Sequence, residues 1–269
     1  MSNDTTGKTL LVATVLCIVC SIVVSTAAVV LKPEQVANKV ADKKRNILAA
    51  AGMLEEGADI DKLFENIEIK VVDIQTGEYL TEQNADEPWE KEILKNPARY
   101  DQRKASKTPD QSINVPASED IAGIKRKAEY ATVYLAKDDA GNVKTIILPV
   151  HGYGLWSTLY GFLALETDAK TVVGLGFYEH AETPGLGGEV DNPKWKSQWP
   201  GKKVYDEQGN VDIELVKGSV DPSAPDAEHK IDGLAGATLT SRGVTNLLNY
   251  WLSDNGFGQY LEKVRAKGV

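Results

Sequence analysis

Cysteine is nearly absent from this chain. Of 269 residues only Cys17 and Cys20 are cysteines, and both sit inside one uncharged apolar run near the N-terminus. The rest of the chain therefore has no disulfide and no cysteine-ligated metal. A Cys-x-x-Cys pair can mark a redox or zinc site, but a structural zinc site needs about four ligands and the run offers no others. The pair reads instead as small residues on a membrane-helix face. Histidine is scarce too: His151, His180 and His229 are far apart and lack zinc-site spacing. Any redox chemistry must then come from an organic cofactor or from partner subunits.

Basic charge is also in deficit. Thirty lysines and arginines face 39 acidic residues, a net charge of −9, and no basic stripe is present. A nucleic-acid partner is excluded on that balance. The sequence has no Gly-x-Ser-x-Gly elbow and no repeat of 20–50 residues. It has one long apolar run and no second of comparable length.

That run, Thr9–Leu31, carries no charge and is flanked by Lys8 and Lys32. At about 1.5 Å per helical residue it spans roughly 34 Å, against a hydrocarbon core of about 30 Å. It is longer than the apolar stretch of a cleaved signal peptide, about 7–15 residues, and reads as an uncleaved single-pass anchor. The division expected is a short tail (1–8), a transmembrane helix (9–31) and one domain (32–269). Lys32, Lys39, Lys43, Lys44 and Arg45 follow the run, where only Lys8 precedes it. The positive-inside bias alone would place the domain in the cytoplasm, but large domains cross membranes largely regardless of flanking charge.

Past the anchor, Pro33 starts a helical pattern that Gly52 and Gly57 close. Ile67–Ile74 reads as a strand. The polar stretch 76–127, with Pro88, Pro97, Pro109 and Pro116, reads as an insertion with short helices and little core. Tyr130–Ala136 and Val143–Val150 flank a turn and predict a hairpin. Leu155–Glu166 is mostly apolar, Thr171–His180 reads as a strand, and Val211–Gly218 as the last strand. Val244, Leu247, Leu248, Trp251 and Leu252 then form a helical stripe. Short strands with helices at both ends indicate an α+β domain.

Three glycine-rich loops could carry chemistry. In "IDGLAGATLTSRG", Ile231–Gly243, Thr240 or Ser241 suits the N-cap of a helix beginning near Arg242, with Thr238 just before it. Free backbone N–H groups and the helix dipole there favour an anion, and Gly236 and Ala237 permit close approach. A tight turn with ordinary capping hydroxyls explains the same residues. A Walker loop is excluded, because in this stretch no lysine precedes the hydroxyls and Arg242 follows them. The second loop, His180–Trp195, shows Glu182 as an acceptor, Thr183-Pro184-Gly185 as a turn and Leu186 displayed between glycines. The third, His151–Gly161, adds Tyr153, Leu155 and Trp156. Together they describe a place for a flat, phosphorylated ligand.

Asp232-Gly233-Leu234-Ala235-Gly236-Ala237-Thr238 resembles the flavinylation motif Asp-x-x-(Ser/Thr)-Gly-Ala-Thr, whose last threonine carries FMN through a phosphodiester. Ala235 departs from it. Glu182–Gly187, Gly154–Thr158 and Arg45–Leu54 extend the resemblance over nearly the whole chain. The chain is similar to the covalent-FMN family of C subunits of the bacterial sodium-translocating NADH:quinone oxidoreductase; the shorter G subunits of Rnf complexes are the alternative. The resemblance implies an α+β FMN-binding domain anchored by one N-terminal transmembrane helix. It implies covalent FMN at Thr238, with the phosphate lined by Gly236, Ala237, Leu239 and Thr240. It sets Tyr153, Leu155, Trp156, Glu182, Thr183 and Leu186 around the ring and ribityl chain. Lys217 is a further candidate for the phosphate. The implied activity is that of one component of a Na⁺-translocating oxidoreductase. Electrons would be relayed one at a time from an iron–sulfur centre in the membrane to the FMN of the B-type subunit, and onward to quinone. The implied partners are the B, D and E subunits, a flavin transferase and the inner membrane, with the domain periplasmic. No metal ligand and no catalytic acid or base is expected in this chain.

Overall fold

The computed structural model describes residues 5–55 and 57–269. The first four residues of the expected N-terminal tail lie outside the described residues. The chain divides into two compact units, with the boundary between Lys43 and Lys44.

The first helix, α1, runs Thr6–Ala50. It is long and apolar enough to cross a membrane. The helix predicted to start at Pro33 is not separate: Pro33 lies inside α1. Proline removes one helical hydrogen bond, but its neighbours, rich in alanine, valine, leucine, lysine and glutamate, carry the helix on. The predicted stop is found at Gly52, which has φ 66°. Met53 N–H donates to Leu48 O and Gly52 N–H to Ala49 O, a Schellman end that uses the left-handed freedom of glycine.

In the second unit a short α2 (Ile60–Phe64) leads into β1 (Ile67–Asp73). Strands β4 (Tyr130–Lys137), β5 (Val143–Tyr153), β6 (Thr158–Glu166) and β7 (Val172–Glu179) follow an intervening segment. These five form an antiparallel sheet in the order β1-β4-β5-β6-β7. The predicted hairpin is β4–β5, with Tyr134 opposite Ile147.

Period-two side chains divide the sheet into two faces. Val133, Leu135, Ile146, Leu148, Leu159, Leu163 and Leu165 point to the main core, and Tyr134, Ala136, Ile147, Phe162 and Ala164 to the other side. Ile47, Leu48, Ala50 and Ala51 cover the second face. The main core is closed by α6 (Thr238–Leu252) and α7 (Gly258–Lys267). All five residues of the predicted stripe on α6 are buried.

The polar stretch contains α3 (Pro88–Lys95), α4 (Gln102–Ala105) and a two-stranded piece of β2 (Ser112–Asn114) and β3 (Arg126–Ala128). It is not coreless. Leu80, Ala85 and Ile93 pack with Val71 and Tyr130, and the buried Glu90 accepts the Tyr130 hydroxyl at 2.9 Å.

Between β7 and α6 lie α5 (Pro193–Lys196), β8 (Glu214–Val216) and β9 (Lys230–Asp232). The strand expected at Val211–Gly218 is only three residues long and is not the last. β9 pairs with it in parallel, Leu215 opposite Ile231. The three-residue β9 was too short to show a period of its own.

Candidate functional site

β9 delivers the chain into the glycine-rich loop. Asp232 is held from three sides: Trp195 Nε1 donates to its carbonyl at 3.0 Å, Gln198 Oε1 accepts its N–H at 3.2 Å, and its Oδ1 accepts Val220 N–H at 2.8 Å. Gly233 lies against the Val216 carbonyl, where a Cβ would not fit. Gly236 takes φ 71°, the left-handed region that disfavours side chains. Ala235 is exposed, so its identity is free of packing constraint.

α6 begins at Thr238, not near Arg242. The hydroxyls expected to cap it are engaged elsewhere. Ser241 Oγ accepts Leu234 N–H at 3.0 Å and donates to Ala237 O at 3.1 Å, while Thr240 Oγ1 donates to Glu182 Oε2 at 2.6 Å. The N-cap residue is Ala237, which has no side chain able to cap. The N–H groups of Thr238, Leu239 and Thr240 therefore have no intrahelical acceptor. Thr238 itself is the first residue of the helix, and its side chain is exposed.

The other two loops converge on this turn through Glu182, which is 5% exposed. Its Oε1 accepts the N–H groups of Leu155 (3.1 Å), Trp156 (3.0 Å) and Ser157 (3.2 Å). Burial penalises this carboxylate, but the Thr240 hydroxyl and the three backbone donors outweigh it and hold its pKa below the ordinary value. Thr183 O accepts Leu186 N–H at 3.1 Å and Gly188 N–H at 2.9 Å, closing the predicted turn at Gly185. Leu186 reaches Gly236: its Cδ2 lies 2.9 Å from where a Cβ there would stand. Tyr153, Trp156, Leu186 and Leu239 remain 51%, 65%, 43% and 51% exposed, an open apolar rim rather than a closed pocket. Lys217 is exposed just beyond β8, beside the start of the glycine-rich loop.

Comparison with known proteins decides the family. Over 268 residues the chain is 53% identical to the C-type subunit of the Na(+)-translocating NADH-quinone reductase of Pseudomonas aeruginosa, covering 98% of both. The chain belongs to the family of C-type subunits of these reductases. The corresponding protein of Yersinia pestis is 46% identical, with 98% of this chain and 95% of that one covered. Solved structures of the family share the fold. The crystal structure of Shewanella oneidensis NqrC matches with TM-score 0.75 at 33% identity, over 86% of this chain and 100% of that one. Residues 154–253 match the model of the FMN-binding domain, a span that contains Leu155, Trp156, Glu182, Leu186 and Thr238 and leaves out Tyr153.

As a member of this family, the chain carries an FMN-binding domain and belongs to an oxidoreductase complex. The residues fit a phosphate-bearing group on observations internal to this structure. A free hydroxyl stands on an uncapped helix start, glycine brings the backbone close, and apolar side chains flank it.

Several contributors were not singled out in the sequence. Ser157 Oγ accepts Ala181 N–H at 2.7 Å, and His180 Nδ1 accepts Glu182 N–H at 3.2 Å, leaving Nε2 to donate to Asp191 at 2.9 Å. Gly243 sits inside α6 against Tyr153 O and Gly154 Cα, at 2.5 and 2.9 Å from an added Cβ. A glycine inside a strongly patterned helix was the available signal, since alanine there is the better helix former.

Proposed function

We propose that this protein carries FMN as a phosphodiester on Thr238. The observation that supports it is the exposed Thr238 at the first position of α6, where the first three N–H groups have no intrahelical acceptor and no side-chain cap. A phosphodiester keeps one negative charge, and those donors together with the helix dipole favour it there. Gly236, Ala237, Leu239 and Thr240 form the backbone around the attachment point. Tyr153, Leu155, Trp156, Thr183 and Leu186 offer surface to the rest of the group, and Lys217 a nearby cation. Bound FMN would supply one-electron chemistry that the side chains of this chain lack.

The protein then acts as an electron relay between an iron–sulfur centre held in the membrane and the FMN of the B-type subunit, within a complex that also includes the D and E subunits. A flavin transferase loads it. The apolar part of α1 crosses the inner membrane, with 32–269 on the periplasmic side. Nothing in this role breaks a substrate bond, so no general acid or base is required.

The test is in-gel flavin fluorescence of the denatured chain after coexpression with its transferase. A fluorescent band for the wild type and none for Thr238→Ala is expected; a dark wild type, or a fluorescent variant, overturns the assignment. A reporter fused after Val269 checks the side of the membrane.

A further inference from the structure

We infer that Glu182 is a positioning residue: its buried carboxylate joins the loop 154–157 to the first turn of α6, and so fixes where Thr238 stands relative to the apolar rim. The inference rests on the proposed attachment at Thr238.

The carboxylate belongs to neither element that it joins. Glu182 lies just past the end of β7, Leu155–Ser157 in the β5–β6 connection and Thr240 in α6. Both oxygens are occupied from within the protein. Oε1 takes three backbone N–H groups, and Oε2 takes the Thr240 hydroxyl at 2.6 Å and the Leu155 N–H at 3.3 Å. Charge-assisted bonds to a buried carboxylate are the stronger kind, and no neutral side chain of similar size accepts so many donors at once.

The surrounding glycines follow from this clamp. A Cβ at Gly154 would come within 2.6 Å of Oε1. At Gly187 it would come within 2.5 Å of Thr240 Oγ1 and 2.8 Å of Oε2. Two of the three glycine loops therefore owe at least one glycine to the space that Glu182 and Thr240 occupy. The helix start is uncapped because Ala237 holds the N-cap position, while Thr240, the third helical residue, gives its hydroxyl to Glu182. Glu182 is itself held, its N–H on His180 and the adjacent Ala181 N–H on Ser157 Oγ.

The experiment uses the full chain in detergent, as wild type, Glu182→Ala, Glu182→Gln and Thr240→Val. Two quantities are read. The first is backbone amide exchange at 155–157 and at Ser241, whose N–H donates to Ala237 O at the start of α6, with Val133 and Leu148 in the central strands as internal reference. The second is the rate at which a fluorescent flavin band appears on coexpression with the transferase. Losing a charged acceptor opens its donors by about tenfold or more. Glu182→Ala is expected to speed exchange at 155–157 by at least that factor, leave the reference strands unchanged, and slow flavin attachment. Glu182→Gln keeps one acceptor oxygen for the three N–H groups but loses the charge and the acceptor for Thr240, and is expected to recover only part of both. Thr240→Val keeps the shape and is expected to loosen only the α6 side.

Unchanged exchange at 155–157 in Glu182→Ala, attachment at the wild-type rate, or equal acceleration throughout the sheet would overturn the inference. If Glu182→Ala does not fold, Thr240→Val decides alone, and wild-type exchange and attachment in it would count against the clamp. If the wild type itself takes up no flavin, the attachment at Thr238 fails, while the exchange measurements still report on Glu182.

Discussion

Arg103 reaches from α4 in the polar insertion and binds Glu179, at the end of β7, through two bonds of 2.7 and 2.8 Å. The guanidinium carbon also lies 3.7 Å from the centroid of the Tyr160 ring. One side chain thus fastens the insertion to the edge of the sheet, three residues before Glu182. Both partners are about half exposed, so the ion pair alone contributes roughly 1 kcal/mol or less. The stacking adds a comparable amount, on the order of 0.5–1 kcal/mol. Lysine supplies the charge without the planar fork. Arg103→Lys is expected to lower the melting temperature nearly as much as Arg103→Ala. Calorimetry of the two variants checks this, and full recovery by lysine would reduce the contact to simple charge attraction.

Two glycines should fail for opposite reasons. Gly243→Ala improves helix propensity by about 1 kcal/mol, yet the new Cβ meets the Tyr153 carbonyl. Backbone cannot yield as a side chain can, so a net loss of about 1–3 kcal/mol is expected from denaturant unfolding. Gly236→Ala meets only the flexible end of Leu186, and its cost is the left-handed backbone, about 1 kcal/mol. A stabilised Gly243→Ala would contradict the close approach of α6 to the Tyr153 loop.

His151 makes a pH prediction. It lies between Tyr160 and Trp251, with ring centroids at 5.4 and 4.9 Å. Burial, and then the charge of Arg103, press its pKa down to about 4. The unfolded chain, near 6.5, binds the proton more tightly than the folded one. Stability from the neutral imidazole is therefore complete above about pH 6.5 and is lost as pH falls toward 4, by up to about 3 kcal/mol. His151→Phe keeps a ring in the stack and should flatten this slope. Urea titrations between pH 4.5 and 7.5 compare the two, and parallel curves would refute the assignment.

Thr238 predicts an asymmetry between loading and folding. Its side chain is exposed and no core residue depends on it. Thr238→Ala and Thr238→Ser should both unfold within about 0.5 kcal/mol of the wild type. On the proposed attachment, serine keeps the hydroxyl and is expected to take flavin, and alanine is not. A large stability loss in either variant would make Thr238 a structural residue.

The sheet and the last amphipathic helix were legible because their apolar residues repeat at periods of two and near 3.6 with little interruption. The tight turn before Thr238 was legible through its small residues Gly236 and Ala237. The start of α6 was not. Capping rules assign Thr240 and Ser241 to the helix end by their type, but these hydroxyls answer to Glu182, Leu234 and Ala237, which local sequence does not reveal. Glu182 was visible as an acceptor, though not the identity of its donors, because these come from a loop about 26 residues away in sequence and from Thr240, 58 residues away. The small core of the insertion escaped notice for a similar reason: Ile93 and Leu80 find their partners on β1 and β4.

No cysteine lies anywhere beyond α1. The domain can thus reach its final shape in a reducing or an oxidising compartment, without a thiol oxidase or isomerase. Thr238 is presented by a turn that is complete once that shape is reached. On the proposed attachment at Thr238, loading with flavin would then be a covalent event separate from any thiol chemistry of folding.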